Sequence, residues 1–171
     1  MENMCATNCQ EWIMVPKLLG SRLWLLLLLG FMGIIISSQA KPGHLTWAQW
    51  FGIQHLNMAH PRCDDAMRVV NGYTGRCKGK NTFLHTSFAA VAQVCGTPNI
   101  TCRNVTRTNC HNSSVQVPLV NCDIIRRTKN YNNCTYQNVA ATKFYVVACE
   151  MKSPQDSTPY LLVPVHLDGI Y

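Results

Sequence analysis

The stretch TFLHTSFAAVAQVC, residues 82–95, separates two parts of the chain that differ in character. Residues 82–94 are predicted to form a helix, the third along the chain. After Cys95, clusters of Asn, Thr, Pro and Ser separate short β-branched runs, which is typical of antiparallel strands joined by turns. These runs are residues 115–117, 123–125, 144–149 and 161–167. Helices followed by strands predict an α+β fold rather than alternating βαβ units.

Two shorter helices are predicted before this stretch. Thr46 is a suitable N-cap for the first helix. An apolar stripe at helical spacing follows the cap and is predicted to face the core: Trp47, Trp50 and Phe51. His55 lies at the edge of that face. The second helix is predicted over residues 64–70, because two leading aspartates favour the positive N-terminal end of a helix.

The N-terminal segment has the pattern of a secretory signal. Lys17 and Arg22 precede an apolar run over residues 23–36, and Ser38-Gln39-Ala40 forms a small-x-small cleavage site. A membrane anchor is the alternative, but the run is shorter than the roughly 20 residues that span a bilayer. We expect residues 1–40 to be an extension and signal peptide, with the signal starting at Met14. Residues 41–171 are then a single domain.

The chain has ten cysteines, and two of them, Cys5 and Cys9, belong to the N-terminal segment. Eight cysteines in a small exported domain predict four disulfides. Zinc binding is the rival interpretation, but these eight contain no C-x-x-C pair. They are Cys63, Cys77, Cys95, Cys102, Cys110, Cys122, Cys134 and Cys149.

Surface chemistry also fits an exported protein. Four N-x-S/T sequons are predicted glycosylation sites: Asn99, Asn104, Asn112 and Asn133. The formal net charge of +7 predicts binding to polyanions. RNA, anionic glycans and anionic membranes are all compatible with that charge, and the charge does not choose among them.

Three motifs resemble the pancreatic ribonuclease superfamily. They are Gln54-His55, the stretch CKGKNTF at residues 77–83, and PVHLD at residues 164–168. The cysteine order agrees, and WAQWF, TFLHTSFA and the end of the chain look most like the eosinophil-associated branch. The resemblance implies a ribonuclease A-like fold, with three N-terminal helices packed on a bent antiparallel sheet. It also implies the disulfide pairing: Cys63–Cys122, Cys77–Cys134, Cys95–Cys149 and Cys102–Cys110.

The resemblance assigns a role to each candidate catalytic residue. His55 is the base, His166 is the acid and Lys78 is the cation at the phosphate. Two histidines with pKa values near 6.5 can divide these proton transfers at neutral pH. A fixed cation stabilises the charge that builds on the phosphate oxygens. Gln54 is similar to a residue that hydrogen-bonds the phosphate, and Asp168 to one that orients His166. No metal or cofactor is implied.

Substrate contacts are implied in the same way. Thr82 resembles the residue whose amide and hydroxyl select a pyrimidine, and Asn109 and Glu150 match positions near the base on the 3′ side. Arg103, Arg107 and Lys80 are candidates for flanking phosphates. The stretch around Lys78 adds Gly79 and Asn81 to the predicted substrate-binding residues. RNA must be single-stranded to enter such a site, and DNA lacks the reacting 2′-hydroxyl.

Other histidines and basic residues have ordinary explanations. His44, His60, His85 and His111 are expected on the surface. Arg126, Arg127 and Lys129 are expected in a solvated loop, or in a patch that binds glycans. The branch implies a monomer that is secreted, stored in secretory granules and active in innate host defence. A non-enzymatic cationic antimicrobial, toxin or immune-signalling protein is the alternative function.

Overall fold

The computed structural model describes residues 41–103 and 106–171. The predicted signal segment and the sequon at Asn104 lie outside these described residues. Residues Lys41–Tyr171 form one compact unit.

Helix α1 (Trp47–Phe51) begins at a capping box. The Thr46 hydroxyl accepts a hydrogen bond from Gln49 N, and the Gln49 side chain accepts one from Thr46 N. The helix continues into a π-helical turn, Gly52–Leu56, which carries His55.

Trp50 is buried as predicted, whereas Trp47 is 45% exposed, so its predicted place in the core is wrong. The Lys41 ammonium lies 5.7 Å from the centre of the Trp47 ring, on the outer side of the helix.

Helix α2 (Cys63–Thr74) is longer than the predicted 64–70. Asp64 and Asp65 occupy its first turn, as predicted, and the helix ends where Gly75 adopts a left-handed φ of 70°. Among the described residues no helix is long and apolar enough to cross a membrane.

The prediction of one helix over residues 82–94 is wrong. Lys80–Leu84 is strand β1, and helix α3 covers only Phe88–Val94. Thr82 and Phe83 have strong strand preference, and they pair with Asn121 and Val120 of a later strand. Ser87 then caps α3 through its hydroxyl, which accepts from Ala90 N.

Together with β1, five later strands of the described residues form two antiparallel sheets of three strands each, with the orders β1-β3-β4 and β2-β5-β6. Their bounds are β2 Cys110–Asn112, β3 Val117–Arg126, β4 Thr135–Lys143, β5 Tyr145–Met151 and β6 Leu162–Ile170. A single 3₁₀ turn, Tyr131–Asn133, precedes β4. The predicted α+β fold is confirmed, with three helices ahead of most of the sheet structure in the described residues.

Two hydrophobic clusters meet along α1 and β1. The Trp50 core contains Trp50, Met67, Val70, Phe83 and Tyr136, and the Phe51 core contains Phe51, Leu84, Val91, Tyr145 and Val147. Phe83 and Leu84 enter different cores because successive side chains of a strand point to opposite faces. Consequently, the two elements that carry His55 and Thr82 are fixed by packing on both sides.

Four disulfides join the cysteines in the pairs that the resemblance implies. Cys63–Cys122 links α2 to β3, and Cys77–Cys134 links the segment before β1 to the start of β4. Cys95–Cys149 fixes the end of α3 to β5, and Cys102–Cys110 closes a short loop. Each bridge typically contributes about 2–4 kcal/mol to stability, chiefly by restricting the unfolded chain.

Candidate active site

His55, Lys78 and His166 come from three separate parts of the chain, and the charge of Lys78 reaches both histidines. His55 lies in the π-helical turn, Lys78 lies between α2 and β1, and His166 lies in β6. Burial is the largest influence on the pKa of each histidine, and the Lys78 charge lowers both values further. His166 also lowers the pKa of His55. Because the Lys78 charge acts on both histidines, the three groups lie around one site.

The His55 imidazole is buried and held in one tautomer. Its Nδ1 lies 2.8 Å from the carbonyl oxygen of Thr82. Because a carbonyl oxygen only accepts, Nδ1 carries the proton and donates it, which leaves Nε2 with a free lone pair. Burial, followed by the Lys78 charge, lowers the pKa of His55 from 6.5 to about 3, although the bond to Thr82 opposes this shift. His55 is therefore neutral at pH 7.

The Lys78 ammonium is held by a chain of two hydrogen bonds that leads back to the first helix. Lys78 Nζ donates to Asn81 Oδ1 at 2.8 Å, and Asn81 Nδ2 donates to the Gln54 carbonyl at 2.7 Å. Burial lowers the pKa of Lys78 to about 8, so the amine remains mainly protonated at pH 7. Asn81 thus contacts the predicted cation directly, and Gln54 participates through its backbone.

His166 is accessible to solvent, on β6 opposite Ala148. Partial burial lowers its pKa, while the Asp168 carboxylate raises it. The orienting role that the resemblance implies for Asp168 requires a hydrogen bond with His166. In the described part of the chain Asp168 forms no such bond. Its Oδ2 instead accepts from Arg103 N at 3.0 Å. Asp168 acts on His166 through its charge.

Thr82 lies beside a residue that the sequence analysis did not single out. The Thr82 hydroxyl donates to Asn121 Oδ1 at 2.7 Å, and the two residues are register partners in β1 and β3. This contact could not be predicted from the sequence, because it depends on the register between β1 and β3. Both the carbonyl and the hydroxyl of Thr82 are therefore fixed, the first by His55 and the second by Asn121.

The two predicted contacts on the 3′ side, Asn109 and Glu150, lie close together, and Glu150 is paired with Arg107, a predicted phosphate contact. Asn109 Nδ2 donates to the Cys149 carbonyl at 3.0 Å, which places Asn109 beside Glu150. Arg107 Nη1 lies 3.4 Å from Glu150 Oε1, in a solvent-exposed ion pair. A substrate that uses either charge must exchange this pair, which costs little because exposed pairs contribute about 0–1 kcal/mol.

Lys80 and Gly79 lie next to Lys78 but have structural partners of their own. Lys80 Nζ is 3.5 Å from Asp123 Oδ1 in an exposed ion pair. The Gly79 carbonyl accepts from Ile124 N at 2.9 Å. A Cβ at position 79 would lie 3.4 Å from Arg127 Nη2, which is an ordinary van der Waals contact.

Within the described residues, the predicted glycosylation sites and the other histidines lie on the surface, with one exception. The sequons at Asn99, Asn112 and Asn133 are exposed, as are His44, His60 and His85. His111 is buried, at 3% exposure, and its Nδ1 donates to Thr97 O at 2.8 Å. The prediction that His111 lies on the surface is wrong, because β2 places it against the segment that follows α3.

One cluster has the spacing of a metal site but lacks the ligands. Donor atoms of Cys102, Cys110 and Asp168 lie within 4.8 Å of one another. The two sulfurs are bonded to each other, and cysteine binds metals as thiolate. The cluster therefore offers one carboxylate only.

Residues 46–168 match the family model described as pancreatic ribonuclease. The match includes all three motifs and all four disulfides, and this chain belongs to the pancreatic ribonuclease family. It is accordingly a ribonuclease with RNA as its substrate. The family and the four disulfides indicate a secreted protein.

The buried neutral His55 predicts a specific acid sensitivity of the fold. Its folded pKa lies below the ordinary 6.5, so the unfolded chain binds the extra proton as the pH falls from 6.5 towards about 3. The stability linked to neutral His55 is complete above pH 6.5 and lost below it. We expect the free energy of unfolding of the wild type to fall by up to about 1.4 kcal/mol per pH unit more than that of His55→Gln. Urea denaturation at several pH values measures this difference.

His85→Gln, which removes an exposed histidine, is the matched control and should follow the wild type. Parallel pH profiles for the wild type and His55→Gln would contradict the buried neutral state.

Proposed function

We propose that this ribonuclease cleaves single-stranded RNA after pyrimidines and forms a 2′,3′-cyclic phosphate without a metal ion. The observation that supports this most is the state of His55, which is neutral and has Nδ1 bonded to Thr82. That state leaves Nε2 free to accept a proton. Lys78 and His166, which act electrostatically on His55, provide a cation and a second proton carrier.

His55 Nε2 removes the proton from the 2′-hydroxyl of the pyrimidine nucleotide. The 2′-oxygen then attacks phosphorus, and the bond from phosphorus to the 5′-oxygen breaks. In its protonated form, which burial disfavours and the Asp168 carboxylate favours, His166 gives its proton to the departing 5′-oxygen. The cyclic phosphate is hydrolysed with the roles exchanged. His166 then removes a proton from water, and the water oxygen attacks phosphorus. The bond from phosphorus to the 2′-oxygen breaks, and His55 protonates that oxygen.

Lys78 stabilises the charge on the non-bridging phosphate oxygens. Its ammonium is partly buried, so its interaction with the phosphate is weakly screened by solvent. The phosphate in turn favours the protonated amine, whose pKa burial had lowered. Gln54, next to His55, is proposed as a further hydrogen-bond donor to the phosphate.

Thr82 is proposed to select the pyrimidine through its amide and hydroxyl, with Asn121 fixing the direction of the hydroxyl. Asn109 and Glu150 are proposed to contact the base on the 3′ side. Lys80, Arg103 and Arg107 are proposed to meet flanking phosphates. Phosphate contacts set affinity and position the strand without reading its sequence.

The biological setting is a second part of the proposal. Residues 1–40 are an extension and signal removed after Ala40, the four sequons carry glycans, and the mature protein is a monomer of the eosinophil-associated branch in innate host defence. Storage in secretory granules fits that setting. A net charge of +7 and the exposed side chains of Arg126, Arg127 and Lys129 also favour a non-enzymatic cationic role on anionic glycans or membranes.

Removal of either proposed proton carrier should abolish most turnover and preserve the fold. His55→Ala and His166→Ala are each expected to lower kcat on a pyrimidine-containing dinucleotide by roughly 10²–10⁴-fold. Lys78→Arg should retain more activity than Lys78→Ala, because the charge remains. Matched circular dichroism spectra establish folding, and exposed His85→Ala is the control.

Near wild-type turnover in His55→Ala or His166→Ala would refute the assignment. Antimicrobial or antiviral action that persists in an inactive but folded His55→Ala protein would favour the non-enzymatic role.

Base selection and phosphate affinity should respond to different substitutions. Thr82→Gly removes the hydroxyl and is expected to reduce the preference for poly(U) and poly(C) over poly(A) by roughly tenfold or more. Arg107→Ala should leave the base preference unchanged. Because each phosphate contact contributes about 0.7 to the salt slope of single-strand binding, Arg107→Ala should flatten that slope instead. Initial rates on the three homopolymers at two ionic strengths measure both quantities.

Full pyrimidine preference in Thr82→Gly would show that the base pocket lies elsewhere.

A further inference from the structure

The three cations proposed for flanking phosphates differ in what surrounds their charge. Lys80 and Arg107 each face a carboxylate in an exposed ion pair, which a phosphate would have to replace. Within the described residues the Arg103 guanidinium forms no ion pair with a carboxylate. Its bond to Asp168 is made by the backbone N–H. The side-chain donors of Arg103 are therefore not taken up by an acid.

The Arg103 guanidinium nevertheless has a defined place, against the backbone of β6 at Gly169. A Cβ at position 169 would lie 2.7 Å from Arg103 Cζ and Nη1 and 2.9 Å from Arg103 Nε. These distances are well inside the about 3.5–4.0 Å at which non-bonded atoms pack best. The guanidinium thus occupies the space that a side chain at position 169 would fill. Because Arg103 is exposed, a larger residue there would displace its guanidinium.

An aromatic ring makes a second contact with this guanidinium. The centre of the Tyr171 ring lies 5.8 Å from Arg103 Cζ, which is within the range of a cation–π interaction. The Tyr171 ring stacks on Phe144, with ring centres 5.6 Å apart and planes inclined by 22°. The backbones of Tyr171 and Phe144 also exchange two hydrogen bonds of 3.1 Å. Phe144, Tyr171 and Arg103 therefore form a column that restricts the arginine side chain.

The strand register places this guanidinium on the same face of β6 as His166. His166 pairs with Ala148 and Gly169 pairs with Val146 of β5. Directly opposed residues share a face of the sheet, and so do residues two apart on one strand. Val146 and Ala148 indeed lie in one small apolar cluster with the Cys102–Cys110 bridge. Positions 166 and 169 are consequently neighbours on that face, about 7 Å apart along the sheet.

We infer that Gly169 and Tyr171 are positioning residues, which hold Arg103 as a preformed contact for an RNA phosphate next to the scissile one. The inference rests on the proposed role of Arg103 at a flanking phosphate. The guanidinium lies on the face from which His166 would give its proton to the departing oxygen. Its planar set of N–H donors can bind a phosphate through two parallel hydrogen bonds.

Preorganisation distinguishes Arg103 from a mobile surface arginine. A long side chain loses rotational freedom when it binds a ligand, and this loss weakens binding. The glycine and the aromatic column remove much of that freedom before the substrate arrives. Unlike Arg107, Arg103 also has no ion pair to exchange. The contact should therefore matter for RNA that extends beyond the scissile phosphate.

The test compares two substrates, uridylyl-adenosine and a hexanucleotide that contains one internal uridine among adenosines. Only the hexanucleotide has flanking phosphates. Gly169→Ala displaces the guanidinium without removing it. It is expected to lower the ratio of kcat/KM for the hexanucleotide to kcat/KM for the dinucleotide roughly threefold to tenfold, the effect of one side chain that must be ordered again. The salt slope of kcat/KM for the hexanucleotide should fall by up to about 0.7, the value of one phosphate contact.

Gly43→Ala is the matched control, since a Cβ at position 43 meets nothing within 4 Å, and it should keep the wild-type ratio. Tyr171→Leu removes the aromatic face but keeps an apolar side chain, and it should lower the ratio as Gly169→Ala does. In an Arg103→Ala background, Gly169→Ala should change the ratio less than about twofold, because the group that it positions is gone. A merely structural role would give the same factor in both backgrounds.

A wild-type ratio in Gly169→Ala or in Tyr171→Leu, or an equal loss with and without Arg103, would overturn the inference and leave the phosphate contact of Arg103 intact. A wild-type ratio in Arg103→Ala would overturn that contact and this inference with it. Failure of the wild-type protein to cleave uridylyl-adenosine would instead contradict the proposed function itself.

Discussion

The hydrogen bond from His55 Nδ1–H to the Thr82 carbonyl connects the proposed catalytic base to the strand that is proposed to bind the base of the substrate. It requires the π-helical turn that follows α1 to lie within hydrogen-bonding distance of β1. That placement follows from packing, because Trp50 and Phe83 enter one core while Phe51 and Leu84 enter the other. The same carbonyl that orients the histidine belongs to the residue whose hydroxyl faces Asn121. The proposed proton transfer and the proposed base selection therefore depend on the same strand, β1.

The electrostatics of the site favour the binding of an anion, which is the phosphate of the substrate. Burial and the Lys78 charge both disfavour a proton on His55, and burial disfavours the proton of Lys78 as well. A phosphate bound among these groups would reverse the balance by favouring the charged forms. In the free protein His55 is therefore neutral, and burial partly destabilises the protonated form of Lys78. The negative charge of the substrate would favour the protonated forms of both residues.

Much of the fold and of the site was predictable because motifs specify local chemistry. The α+β class, the capped first helix and the disulfide pairs agree with the structure. The helix over residues 82–94 was wrong, since the strand partners that bring Thr82 into β1 come from residues about forty positions later. Strand β4 was missed because most of its residues are exposed and show no apolar alternation. Asn121 could not be recognised because its contact with Thr82 arises from the register of β1 and β3.

The central claim is that the 2′-hydroxyl of the substrate is the nucleophile and that protein side chains alone move the protons. The most direct measurement is ³¹P NMR of uridylyl-adenosine and its 2′-deoxyuridine analogue during incubation with the protein and an excess of chelator. We expect a 2′,3′-cyclic phosphate signal that appears first and later converts to a 3′-phosphate, with the deoxy analogue intact. Cleavage of the deoxy analogue, a 3′-phosphate without the cyclic intermediate, or loss of activity in the chelator would contradict it.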